Sequence, residues 1–132
     1  MGIDHNMKIL VVDDLPTMRH VILQTLHAIG LKNTTEAGDG LQALAELKKS
    51  KYDLLITDWN MPNMDGITLI RMMRGNEELK NIVVMMVTAE ADKAHIVQAM
   101  KVGLSDYIVK PFTPDILQAK IEKYFSRKLE SQ

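Results

Sequence analysis

Four short apolar runs, at 9–12, 54–56, 82–87 and 107–109, constrain the fold of this 132-residue chain more than any other feature. None of them alternates apolar with polar residues. A strand apolar on both faces must be covered on both faces, which is the condition of strands in a parallel sheet. A weaker strand is expected at 33–37.

Between these runs the apolar period becomes helical. Met18, Val21, Ile22, Leu26 and Ile29 share one face of a first helix, which Gly30 ends as a cap. Leu41, Leu44 and Leu47 mark a second helix after the Asp39-Gly40 turn. Ile67, Ile70 and Met73 or Arg74 mark a third, stopped at Gly75, and Ile96, Val97 and Met100 a fourth, stopped at Gly103. Leu117, Ile121, Tyr124 and Phe125 mark a fifth, with Thr113 as its N-cap and Pro114 at its first position. Strands alternating with helices in this way predict an α/β domain, doubly wound around a five-stranded parallel sheet and flanked by five helices. Such domains bind ligands at the carboxyl ends of their strands, near the topological switch point.

The length suits one domain, expected over residues 7–128, with a loose leader at 1–6 and a polar tail at 129–132. Lys and Arg number 16 against 17 Asp and Glu, so no basic surplus asks for nucleic acid. There is no cysteine, hence no disulfide framework and no thiol site. His5, His20, His27 and His95 are scattered and form no ligand set, and the ten Met residues read as core filler. No apolar run can span a bilayer, no signal core is present, and Asn6 stands where a myristoylation motif needs Ser or Thr. The expectation is a soluble cytoplasmic protein, without membrane insertion and monomeric.

The strand ends carry the chemistry. The first run ends in Asp13-Asp14, the third strand in Asp58, the fourth in Thr88 and the fifth in Lys110. In a parallel sheet all of these reach one edge. Asp13 and Asp14 before Pro16 could alone cap a helix, and Lys110 could alone be a surface lysine. Together they bring three carboxylates, a hydroxyl and an ammonium into one pocket. Three clustered carboxylates repel one another, so a cation belongs with them, and an all-oxygen set suits magnesium. A divalent ion plus Lys110 nearly balances three negative charges. Asp58 could then act as a nucleophile toward an anionic phosphoryl group, a reaction that rests on positioning and charge neutralisation.

Asp13-Asp14, the stretch Asp58-Trp59-Asn60-Met61-Pro62 with Asp65-Gly66, Thr88-Ala89-Glu90 and Lys110-Pro111-Phe112 resemble the response-regulator receiver domains. The resemblance runs from Met7 to Phe125 and is nearest to the chemotaxis members. It implies a flavodoxin-like sheet of order 2-1-3-4-5, with Asp58 as phosphoacceptor and Mg2+ as cofactor. It implies metal binding by Asp14, Asp58 and the Asn60 carbonyl, with Asp13 acting through water. Lys110, Thr88 and Ala89 would contact the phosphoryl group, and the Lys110–Pro111 bond would be cis. Thr88 and Tyr107 would act as switch residues, and Asn60 and Glu90 would tune phosphate loss. Trp59 has no chemical role of its own and should report occupancy by fluorescence.

The resemblance also implies partners: a chemotaxis histidine kinase as donor, with the flagellar switch protein and a phosphatase as candidates beyond it. Ala91, Asp92, Lys93, Ile96, Met100, Asp106, Tyr107 and Lys120 would form the partner surface. Asp92 and Asp106 add negative charge there and Met100 adds bulk. Docking on an acidic switch segment is therefore expected to be weak. The alternatives are a phosphate sink or a regulator of a non-flagellar chemosensory array. An aspartate-nucleophile phosphatase would need an acid two residues after Asp58, where Asn60 stands, so the domain is expected to signal and not to act as an enzyme on other substrates. No helix-turn-helix segment supports a DNA-binding regulator.

Overall fold

The computed structural model describes residues 5–89 and 92–125. Five strands alternate with five helices: β1 (Ile9–Val12), α1 (Pro16–Ala28), β2 (Thr34–Ala37), α2 (Gly40–Lys49), β3 (Leu54–Thr57), α3 (Gly66–Arg74), β4 (Val83–Ala89), α4 (Lys93–Val102), β5 (Asp106–Lys110) and α5 (Pro114–Phe125). The strands form one parallel sheet in the order β2-β1-β3-β4-β5. No helix among the described residues is long and apolar enough to cross a membrane.

The unbroken apolar runs are explained by two cores, one on each face of the sheet. Side chains alternate along a strand, so Leu10, Val12, Leu55, Val84 and Met86 pack against Ala43, Leu47, Ile67, Ile70 and Met73 and against Ala99 of α4. Ile9, Val11, Leu54, Ile56, Met85, Val87 and Ile108 pack against Ile22 and Leu26 of α1 and Leu117 and Ile121 of α5. Met7, Met61, Met73, Met85 and Met86 are buried core, as expected of methionine filler, whereas Met72 and Met100 are exposed and are not filler.

The helix ends follow their local chemistry. Asp39 accepts from the Gln42 N–H at 2.8 Å and Asp65 from the Thr68 N–H at 2.7 Å, each as an N-cap. Thr113 Oγ1 accepts from the Ile116 N–H at 3.3 Å. Gly103 closes α4 at φ 115°, a left-handed conformation that only glycine adopts without strain. Leu15, not Asp13 or Asp14, occupies the N-cap of α1, with no side-chain bond, and Pro16 follows it.

β4 runs further than its apolar pattern suggests. The ladder to β5 continues through Thr88↔Val109 and Ala89↔Lys110. Lys110 ends β5 as expected, and Thr88 stands one residue before the end of β4. The backbone of β5 supplies pairing partners past Val87, where the continuous apolar run stops, which periodicity cannot reveal.

Candidate functional site

Register delivers the acidic cluster. Val12 pairs with Thr57, so the next residues, Asp13 and Asp58, emerge side by side at the carboxyl edge. The Asp58 N–H donates to the Val12 carbonyl at 3.1 Å, and the Asp13 N–H to the Ala37 carbonyl at 3.2 Å. Carboxylate oxygens of Asp13, Asp14 and Asp58 lie within 4.8 Å of one another. Asp13 is buried, Asp58 half-buried and Asp14 exposed.

Burial pushes the carboxyls of both Asp13 and Asp58 above the usual range. For Asp58 the Trp59 N–H, 2.7 Å from Oδ1, pulls the other way, as do the Lys110 charge and the Asn60 N–H. For Asp13 the opposing pull comes first from the Leu15 N–H at 2.9 Å, while Asp58 adds to the push. Asp13 Oδ2 is buried with no hydrogen-bond partner among the described residues. An orphaned carboxylate oxygen beside two more carboxylates fits a hard divalent cation with oxygen ligands.

The rest of the edge is built around Asp58. Gly66, the first residue of α3, donates its N–H to the Trp59 carbonyl at 2.8 Å. A Cβ at this position would strike the Asp58 carbonyl oxygen and lie 2.9 Å from Trp59 Cα. Glycine thus lets α3 start against the backbone of the loop that begins at Asp58. The Lys110–Pro111 bond is cis. Thr88 is buried, and by alternation with Met86 it faces the α4 side of the sheet. Its hydroxyl donates to Asp92 Oδ2 at 3.1 Å, and the Trp59 indole N–H donates to the same oxygen, also at 3.1 Å.

The response regulator receiver domain matches residues 9–122 of the chain. The chain belongs to this family. This receiver domain is 51% identical over 121 residues to the chemotaxis protein CheY of Pseudomonas aeruginosa, covering 92% of this chain and 98% of that protein. It is 50% identical over 125 residues to the chemotaxis protein CheY-3 of Vibrio cholerae, covering 95% and 96% respectively. Among solved structures it resembles the receiver domain of a Pseudomonas aeruginosa sensor histidine kinase, which has a magnesium ion coordinated in its active-site cleft. There the TM-score is 0.82 at 28% identity, covering 90% of this chain and 97% of that one. With 92% or more of both chains covered in each curated match, this is a CheY-like chemotaxis receiver domain.

Other residues singled out from the sequence are distributed more widely over the receiver domain. Asn60 and Ala89 are exposed at the same edge as Asp58. Lys93 is exposed on α4, Ile96 is half-buried, and Met100 has 47% of its surface exposed. Tyr107 is half-buried beside Met86, with Lys120 Nζ 5.2 Å from its ring centroid. Asp92 and Asp106 both have carboxylate oxygens bonded within the domain. Asp92 bonds inward to Thr88 and Trp59. Asp106 is buried at the opposite end of β5 from Lys110, with Lys120 Nζ at 3.0 Å and Lys123 Nζ at 3.7 Å. Glu90 and Ala91 lie outside the described residues, as do 1–4 and the expected tail at 129–132.

Two neighbours of the site escaped sequence reasoning. His95 stacks on Trp59, and Arg19 donates from Nη1 to the Asp13 carbonyl while pairing with Glu36 at 3.0 Å. The i, i+3 spacing of Asp92 and His95 on α4 was the one available hint that they share a face.

Proposed function

We propose that this receiver domain takes a phosphoryl group onto Asp58 from the phosphohistidine of a chemotaxis kinase. The observation that carries the proposal is the orphaned Asp13 Oδ2 beside Asp14 and Asp58, with Lys110 near enough to stabilise their charges. Asp13, Asp14, Asp58 and the Asn60 carbonyl would hold Mg2+, which when bound supplies the charge neutralisation that phosphoryl transfer needs. An Asp58 carboxylate oxygen forms the bond to phosphorus. The phosphorus–nitrogen bond breaks, and the imidazole leaves with the electron pair. Lys110 and Thr88 orient the phosphoryl oxygens, and the Trp59 and Asn60 N–H groups steady the acceptor carboxyl. Asn60 and Glu90 govern how long the acyl phosphate lasts.

The signal leaves through the surface of α4 and β5, where Lys93, Ile96, Met100, Tyr107 and Lys120 would meet the flagellar switch protein. With Asp92 and Asp106 bonded internally, charge repulsion is a weaker obstacle to docking than the sequence implies. Met100 favours the second reading, a phosphate sink or non-flagellar regulator, because its exposed side chain adds bulk to that surface.

The test is incubation with acetyl phosphate and Mg2+, followed by intact-mass measurement. Wild type should gain one phosphoryl group and Asp58→Asn none. An unmodified wild type, or equal modification of the variant, overturns the assignment.

A further inference from the structure

Asp92 occupies the N-cap of α4, where an aspartate ordinarily accepts a bond from the first turn of its own helix. It makes no such bond, and its backbone angles, φ −92° and ψ 37°, are not those of an extended cap. Its Oδ2 instead receives both the Thr88 hydroxyl and the Trp59 indole N–H, each at 3.1 Å. Thr88 has only one hydroxyl proton. The alternative acceptor, the Ala89 carbonyl, is farther at 3.4 Å and uncharged, so the carboxylate holds the proton. Trp59 is tied in turn to the acceptor, since its backbone N–H donates to Asp58 Oδ1 at 2.7 Å. His95, one turn along α4, stacks on the indole at 3.6 Å. A continuous chain of contacts thus runs from Asp58 through Trp59 to Asp92 and Thr88.

We propose that Asp92 is a positioning residue that latches Thr88 in the unphosphorylated state. The inference rests on the reading of Asp58 as phosphoacceptor and Thr88 as a phosphoryl contact. The Thr88 hydroxyl cannot donate to Asp92 and to a phosphoryl oxygen at once, so modification of Asp58 must break the latch. Asp92 therefore raises the threshold for activation without touching the phosphoryl group. Once released, its carboxylate is free to cap the first turn of α4. Phosphorylation would then exchange one Asp92 partner for another and couple the acceptor loop to the helix on the output surface.

The experiment measures beryllofluoride binding to the full chain in Mg2+ by calorimetry, for wild type, Asp92→Ala, Asp92→Asn, Thr88→Val and the Asp92→Ala/Thr88→Val double variant. Asp92→Ala should bind beryllofluoride at least about tenfold tighter, the scale of one lost charge-assisted hydrogen bond. Asp92→Asn, which keeps an acceptor without the charge, should fall between it and wild type. Mg2+ affinity without beryllofluoride should stay unchanged. In the Thr88→Val background the gain from Asp92→Ala should vanish. Unchanged or weaker binding by Asp92→Ala overturns the latch. So does a gain that persists in the Thr88→Val background, where no hydroxyl is left to latch, since that gain would be simple removal of a negative charge. A wild type that binds no beryllofluoride overturns the acceptor reading and the latch with it.

Discussion

Trp59 lies flat against His95, with ring centroids 3.6 Å apart and planes 18° from parallel. One ring belongs to the loop that follows Asp58 and the other to the first turns of α4, so the pair bridges two elements distant in sequence. Such a pair contributes roughly 0.5–1.5 kcal/mol beyond its buried area. His95→Ala should lower stability by about that amount. It should also shift the emission of Trp59, the one tryptophan in the chain. Denaturant unfolding followed by fluorescence reads both effects, and an unaltered spectrum would show that the stack does not persist in solution.

Burial raises the Asp13 and Asp58 carboxyls in the folded protein. A raised folded-state pKa contributes stability that is fully present below the ordinary carboxylate range and is lost as pH rises through the raised value. At neutral pH both groups are therefore ionised at a cost. Asp13→Asn should stabilise the metal-free protein at pH 7, on the order of 1 kcal/mol or about 2–4 °C in Tm, and should do so less in mild acid. The same variant should lose Mg2+ affinity. A fall in Tm at pH 7 would mean that contacts other than a cation offset the cost of the buried carboxylate.

Asp106 is held by two lysines of unequal burial. Lys120 is 32% exposed and lies 3.0 Å away, whereas Lys123 is 67% exposed at 3.7 Å. Removing Lys120 leaves a buried carboxylate poorly compensated, and Lys120→Met should cost about 1–3 kcal/mol. Lys123→Met should stay within about 0.5 kcal/mol, as surface pairs do. Chemical denaturation of the two variants separates them, and equal costs would contradict the assigned geometry.

Gly66→Ala puts a methyl group against the Asp58 carbonyl and Trp59 Cα. Neither is a flexible side-chain end, so the loop at Asp58 and Trp59 or the start of α3 must move. A loss of about 1–3 kcal/mol is expected, along with weaker Mg2+ binding because Asp58 shifts. A variant that retains both stability and Mg2+ affinity would show that the loop yields freely.

The sheet and the acidic edge were legible because each depends on local pattern. Unbroken apolar runs report a sheet covered on both faces, and the charged or hydroxyl residues within two positions after each run report the edge. What escaped was side-chain direction. Asp92 and Asp106 are both acidic, short and near the proposed output surface, yet one bonds inward to Thr88 and the other sits beneath α5 at the far edge. No periodicity distinguishes an aspartate that caps its helix from one that turns back to a neighbouring strand. His95 looked like one of four scattered histidines until the fold set α4 beside the loop that follows Asp58.

The sheet is also a partition. Thr88, Tyr107, Asp92 and the Trp59–His95 pair belong with the α4 side, whereas α1 and α5 pack on the other core. The apolar side chains on opposite faces pack in separate cores, so the buried residues of the α1–α5 core can change with little effect on the packing between Asp58 and α4. Descendants of such a chain can revise one core and keep the other, as two separate inheritances.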